Sequence, residues 1–175
     1  MIRINTPFTD SSIKSLKAGD EVLLSGVIYT GRDQAHKRIV GALKKGKRFP
    51  SDLLGGVIYY CGPTGTPKGK VIGSCGPTTA SRMDGFSLLL IARGLKVMIG
   101  KGNRGQEVVS AIKRYRGVYF VTYAGCGALL SKFILKAKPV FYPELGPEAV
   151  FKLEVKDFPV IVAVDSLGNN IYKKA

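Results

Sequence analysis

Cysteine is scarce in this sequence and poorly placed for joint work. Cys61, Cys75 and Cys126 stand far apart, with no C-x-x-C pair among them. That argues against a disulfide framework and against a self-contained zinc or iron–sulfur site. Each reads as a small buried or half-buried thiol, Cys75 above all. Histidine is scarcer still: His36 is the only one, so any imidazole chemistry has one candidate. Long apolar runs are missing too. The stretch from Phe86 to Ala92 falls well short of the roughly 18 apolar residues that a membrane span needs. The opening MIRINTPFTD lacks the basic-then-apolar layout of a signal peptide, which predicts a mature, cytoplasmic protein that engages no membrane. No internal repeat, low-complexity tract or linker interrupts the chain, so one domain over residues 1–175 is expected.

Acidic residues are also few. Asp and Glu number 12 against 27 Lys and Arg, a net charge of +15. A surface of this sign attracts polyanions, acidic proteins or small dianions. A basic nucleic-acid-binding module is therefore one reading. However, the basic residues are spread along the chain, and aromatics make up only 9%. The nearest thing to a basic block, Lys44 to Arg48 (KKGKR), reads as a solvated helix end and loop. Charge alone leaves the partner undecided.

What is present is a globular composition, 45% apolar and 22% charged over 175 residues, enough to bury a core. Glu21 to Thr30 reads as a strand. Asp33 to Lys45 reads as a helix with Ala35, Ile39, Ala42 and Leu43 on one face. Gly56 to Cys61 and Lys70 to Ser74 read as short buried strands, and Thr78 to Ala92 as a helix ending at a glycine cap, Gly94. The pattern repeats with a strand at Lys96 to Ile99, a helix at Gln106 to Tyr115, a strand at Val118 to Tyr123 and a helix at Ala128 to Ala137. Val140 to Tyr142 is extended. Val150 to Val155 and Val160 to Asp165 read as neighbouring strands, with a turn at Leu167-Gly168-Asn169. Alternation of this kind predicts an α/β fold with β additions at both ends.

Four segments put glycine and polar residues where strands stop, the usual ligand end of an α/β sheet. In TGRDQAH (Thr30 to His36), Arg32 and His36 are four apart and share a face if the helix starts there; alternatively Asp33 caps the helix and His36 packs. In GSCGPTTASRMD (Gly73 to Asp84), a strand enters Gly-Pro and a helix start at Thr78 or Thr79. Free N–H groups, hydroxyls and Arg82 there suit a carboxylate or phosphate, while a capped helix with a surface arginine is the plainer alternative. GKGNRG (Gly100 to Gly105) matches G-x-G-x-x-G, but the next strand lacks the acidic residue of a dinucleotide site, and Lys101 is not followed by Ser or Thr as in a phosphate-binding loop. It presents Lys101 and Arg104 to an anion. YAGCGALLSK (Tyr123 to Lys132) reads as close backbone packing. Together these segments put Arg32, Arg82, Lys101 and Arg104 at loop tips beside Thr78 and Thr79. They offer no carboxylate pair, no metal-ligand cluster and no nucleophile–base pair. Such a site binds a dianion and stabilises a negative transition state, but lacks an electrophile.

The same segments carry a family resemblance. The runs GDEVLLSGVIYTGRDQAHKR, YYCGPTGTPKGKVIGSCGPTTASRMD, GKGNR and PVFYPELGPEAVFKLEVKDFPVIVAVDSLGNNIY resemble, from end to end, the β subunit or C-terminal half of iron–sulfur hydro-lyases. That family comprises class I fumarate hydratase and L(+)-tartrate dehydratase. The resemblance implies a single-domain swivelling β/β/α-type fold with a mixed sheet and flanking helices. It implies a hydro-lyase inactive alone, completed by an α subunit that holds a [4Fe-4S] cluster, with no metal on this chain and with a dicarboxylate as substrate. A hetero-oligomer is expected, with self-association of the isolated chain a further expectation. By resemblance Thr78, Arg82 and Lys101 are catalytic. Arg32, Thr78, Thr79, Arg82, Lys101 and Arg104 contact substrate, and Asp33 and His36 support them. The chain departs from the family pattern at Gly31 and Cys75, where alanine is more usual.

Overall fold

The structure, a computed structural model, describes residues 1–173. Along the chain come β1 (Ile2–Asn5), α1 (Asp10–Ser15), β2 (Glu21–Thr30), α2 (Asp33–Lys44), β3 (Val57–Tyr59), α3 (Asp84–Ala92), β4 (Val97–Gly100), α4 (Gln106–Tyr115), β5 (Val118–Val121), α5 (Gly127–Leu130), β6 (Ile134–Phe141) and β7 (Val150–Val164). β2 to β5 are mutually parallel neighbours in chain order. β7 runs antiparallel to β5 on one edge and to β2 on the other, so the pairings close into a ring β2-β3-β4-β5-β7. β1 extends the ring beside β2, and β6 does so beside β7. The result is the mixed sheet with flanking helices that the resemblance implies, and it is the α/β class that the alternation predicts.

Side chains of a strand alternate between its faces, and here both faces of the parallel strands are buried. Val57, Tyr59, Val97, Ile99, Val118 and Phe120 point inward and meet Leu24, Ile28, Phe158 and Val162 from the antiparallel strands. Ile58, Tyr60, Met98 and Tyr119 point outward, under Ile39, Leu90, Val108 and Ile112 of α2, α3 and α4. That explains why these strands read as unbroken apolar runs. Burying one such side chain contributes about 1.5–3 kcal/mol. Among the described residues no helix is long and apolar enough to cross a membrane.

Several expected elements differ. Lys70 to Ser74 forms no strand. Thr64 and Ser74 bond each other twice, Thr64 N–H donating to the Ser74 carbonyl and Ser74 N–H to the Thr64 hydroxyl, so local bonds replace a ladder. The helix expected from Thr78 begins only at Asp84, after a 3-10 turn at Ala80–Met83, because the backbone of residues 78–80 is bound to neighbouring strand ends. The helix expected over Ala128 to Ala137 stops at Leu130. From Ile134 the chain joins β7 as an edge strand, which Pro139 tolerates and a helix would not. Val150 to Val155 and Val160 to Asp165 do not pair with each other. They belong to one strand, in which Asp157, at positive φ, takes up an extra residue opposite the Leu24–Gly26 shift of β2. Residues 2–15, to which the pattern assigned nothing, form β1 and α1, the latter held by a Thr9–Ser12 capping box.

β6 carries one electrostatic flaw. Lys136 pairs with Glu154 at 2.9 Å, but Lys138 stands directly opposite Lys152 and both are exposed. Like charges in that relation repel. Lys138→Glu should raise stability by about 0.2–1 kcal/mol at low ionic strength, with the gain shrinking as salt is added. Urea midpoints at low and high salt test this, and an unchanged low-salt midpoint would refute it.

Candidate functional site

β2, β3 and β4 end side by side, and the segments leaving them build the site. Gly31 follows β2, so Arg32 and Asp33 emerge at the first turn of α2. Tyr60, Cys61 and Gly62 follow β3, and Lys101 follows β4. Between the last two lies the segment around Thr78, tied to both by backbone bonds. Thr78 N–H donates to the Tyr60 carbonyl at 2.6 Å, Lys101 N–H to the Thr78 carbonyl at 3.3 Å, and Ala80 N–H to the Lys101 carbonyl at 2.9 Å. Thr79 and Lys101 form a parallel bridge. Glycine is required at position 100, because a Cβ there would lie 2.8 Å from the Tyr60 ring and 3.0 Å from Ala80 Cβ. The backbones of Thr78, Thr79 and Lys101 are thus neighbours by construction.

Arg82 leaves the following 3-10 turn toward α2. Its Nη2 donates to Asp33 Oδ2 at 2.8 Å, while Arg32 Nε lies 3.9 Å from the same oxygen. Asp33 therefore joins two guanidinium groups, and makes no cap: Arg32 holds the cap position and α2 has no side-chain cap bond. Its negative charge still sits favourably at a helix N-terminus. Arg32 lies flat against Gly62, where a Cβ would come within 2.8 Å of its Cδ and 3.1 Å of its Nη1. Its Nε is buried without a hydrogen-bond partner. Two cations share one carboxylate here, and the spare charge and donors are what a dicarboxylate would satisfy.

His36 lies beneath these groups and away from solvent. A carbonyl only accepts, so the 2.7 Å contact with Arg32 makes His36 Nδ1 the donor. The ring packs 5.4 Å from Tyr60 and 5.9 Å from Phe86. Burial, the largest cause, lowers its pKa from 6.5 to about 4, so the imidazole is neutral at pH 7. The four-residue spacing from Arg32 is used by the backbone of Arg32, not by its guanidinium.

Arg104 is not a loop-tip cation. It is 4% exposed, and Nε donates to Asp84 Oδ1 at 2.6 Å, Nη2 to Ser87 at 2.8 Å and Nη1 to the Tyr60 hydroxyl at 3.2 Å. Asp84 closes the run GSCGPTTASRMD, yet nothing in that run marks it, Ser87 or Tyr60 as the partners of a residue 17 to 44 positions away. The close packing expected of YAGCGALLSK is present: a Cβ on Gly127 would meet Gly76 N at 2.8 Å, and Cys75 N–H donates to the Gly127 carbonyl. Cys61 and Cys75 are fully buried, and burial pushes the Cys61 thiol well up. Among the described residues, no three His, Cys, Asp or Glu side chains converge as metal ligands.

Comparison with known proteins bears on what this arrangement serves. The family model for the fumarase C-terminus matches residues 1–175. The aerobic class I fumarate hydratase of Escherichia coli K12 is 37% identical over 177 residues, covering 99% of this chain and 32% of that protein. Fumarate hydratase 2 of Leishmania major is 40% identical over 158 residues, covering 89% and 28%. A provisionally named L(+)-tartrate dehydratase subunit beta of Methanocaldococcus jannaschii is 40% identical over 172 residues, covering 95% and 88%. The chain thus spans about a third of the length of those fumarate hydratases and nearly all of the subunit.

The buried imidazole sets a pH dependence. The folded chain holds His36 neutral down to about pH 4, while the unfolded chain protonates it near 6.5. Its contribution is therefore intact above pH 6.5 and is lost as pH falls toward 4, by about 3 kcal/mol in all. Urea unfolding of the wild type and of His36→Gln at pH 7 and pH 5 should show the wild type losing more between the two. Parallel losses would mean that another group titrates.

Proposed function

This chain belongs to the fumarase C-terminus family, and on that footing we propose that it supplies half of a hydro-lyase active site, the half that holds the dicarboxylate. The observation that carries this reading is the joining of Arg32 and Arg82 through Asp33, at the same sheet end where the backbones of Thr78 and Lys101 are bonded together. In reversible hydration of fumarate to L-malate, both carboxylates need cations, and the intermediate formed by proton loss next to a carboxylate carries extra negative charge. Arg82 matches one carboxylate with a two-pronged donor, and the partly exposed guanidinium of Arg32 takes the other. Thr78 moves the proton at the carbon between them. In hydration the Thr78 hydroxyl gives its proton to that carbon and is left as an alkoxide, and in dehydration the alkoxide takes the proton back, so this role depends on the Lys101 ammonium offsetting the alkoxide charge. Thr79 lines the site, and Asp33 and His36 hold Arg32 and Arg82 in place.

The missing component is an electrophile for the hydroxyl group. We assign it to a partner α subunit carrying a [4Fe-4S] cluster, which when bound supplies a Lewis acid. The charge of +15 supports such a partner. Part of it draws dianions toward the site, and part meets an acidic protein face. A basic nucleic-acid module would use that charge in another way, but nothing in the site reads a base.

A second reading, L(+)-tartrate dehydratase, has one specific observation in its favour. The relative of that name is a separate subunit of which this chain covers 88%, whereas the chain covers only 32% of the E. coli fumarate hydratase. The two substrates present the same pair of carboxylates and differ in hydroxylation.

An anaerobic assay of this chain with and without its cluster-loaded partner tests the proposal. Activity is expected only in the mixture. Arg82→Ala should lower kcat/KM by about 100-fold or more without preventing assembly. Turnover of L-tartrate without turnover of fumarate would select the second reading. If no complex forms, the half-site proposal fails.

A further inference from the structure

Of the four basic residues that sequence brings to this sheet end, Arg104 alone faces inward, and its surroundings give it a task. Its three donor nitrogens reach Asp84, Ser87 and Tyr60, on two separate segments. Its guanidinium lies 4.9 Å from the Tyr119 ring centroid and 5.3 Å from that of Tyr60. The second oxygen of Asp84 accepts from the Gly105 N–H at 2.7 Å. One carboxylate thus holds both the side chain of Arg104 and the backbone after it. A buried ion pair is weak evidence for stability, since an apolar pair of equal volume often packs as well. What the ion pair adds is register.

The register it sets is that of the two segments at the site. Asp84 directly follows the turn that carries Arg82, and Arg104 comes three residues after Lys101. Between these anchors the segments are bonded through Lys101 N–H to Thr78 and Ala80 N–H to Lys101. Tyr60 serves both ends: its carbonyl receives the Thr78 N–H and its hydroxyl receives Arg104. We infer that the Asp84–Arg104 pair is a positioning device, which holds Lys101 against Thr78 and Arg82 while Arg104 itself touches no substrate. This rests on the hydro-lyase reading for its consequence and not for its geometry. Lysine cannot replace it, because a single ammonium lacks the planar fork that reaches three acceptors in fixed directions.

Two measurements test it in the full chain and in its complex with the α subunit. In Arg104→Lys, the amides of Thr78, Ala80 and Lys101 should exchange hydrogen about tenfold faster or more, with β7 unchanged. In the complex, kcat should fall on the order of 10- to 100-fold. A Lys101→Ala background should abolish most of that further loss, since Arg104 acts through Lys101. Unchanged exchange, acceleration that extends to β7, or losses that simply multiply would each overturn the inference. If the wild-type complex turns over neither fumarate nor L-tartrate, the hydro-lyase reading fails and the exchange experiment decides the device by itself. Should Arg104→Lys not fold, Ser87→Ala removes one of the bonds and carries the same two readouts in the same directions.

Discussion

β2 and β7 run antiparallel from the Glu21–Ile161 pair to the Tyr29–Lys152 pair, and the closed ring exists only because of that ladder. Without it the three short strands β3, β4 and β5 would form part of an open sheet, with Tyr59, Ile99 and Phe120 facing water. With it, those side chains meet Phe158 and Val162 in a dry interior, and the helices need cover only the outer face. The ends of β2, β3 and β4 are then held at fixed spacing. Everything in the candidate site hangs from those ends by backbone bonds or by a single buried ion pair.

The distribution of the few acids follows a related logic. Asp33 and Asp84 lie at this end of the sheet, and each ties its own segment to another. Asp33 offsets part of the repulsion between Arg32 and Arg82 without cancelling their combined charge. Asp84 neutralises Arg104, the one cation there that water cannot reach. The positive charge left over is concentrated where Arg32 and Arg82 retain partial access to solvent. A site that binds anions needs such an imbalance, and also needs acids enough to keep its cations from separating.

The long elements were legible from pattern alone. β2, α2 and α4 begin and end within a residue of where their periodicity places them, because each has one continuous face to bury. The failures fall where tertiary bonds overrule a local pattern. Thr78 to Met83 has a helical composition, yet its N–H and carbonyl groups are taken by Tyr60 and Lys101. Ile134 to Ala137 reads as helix until β7 offers a ladder. At the site, the spacing of TGRDQAH and GSCGPTTASRMD revealed Arg32 and Arg82 as candidates, since glycine turns beside strand ends are local features. It did not reveal that Asp33 would join them. It read Arg104 as exposed because burial of a cation depends on partners scattered across the chain.

Gly100 gives this architecture an asymmetry between repair and damage. Any side chain larger than hydrogen at that position drives Tyr60 and Ala80 apart, and both belong to the scaffold that carries Thr78 and Lys101. Replacing an exposed side chain near the site removes only the contacts which that side chain makes. A change at Gly100 would instead move several groups together, because the Tyr60 ring, Ala80 and the Thr78 carbonyl all lie within 3.4 Å of the added carbon. The side chains of the site are therefore separable from one another, whereas the backbone track on which they are mounted shifts as a unit.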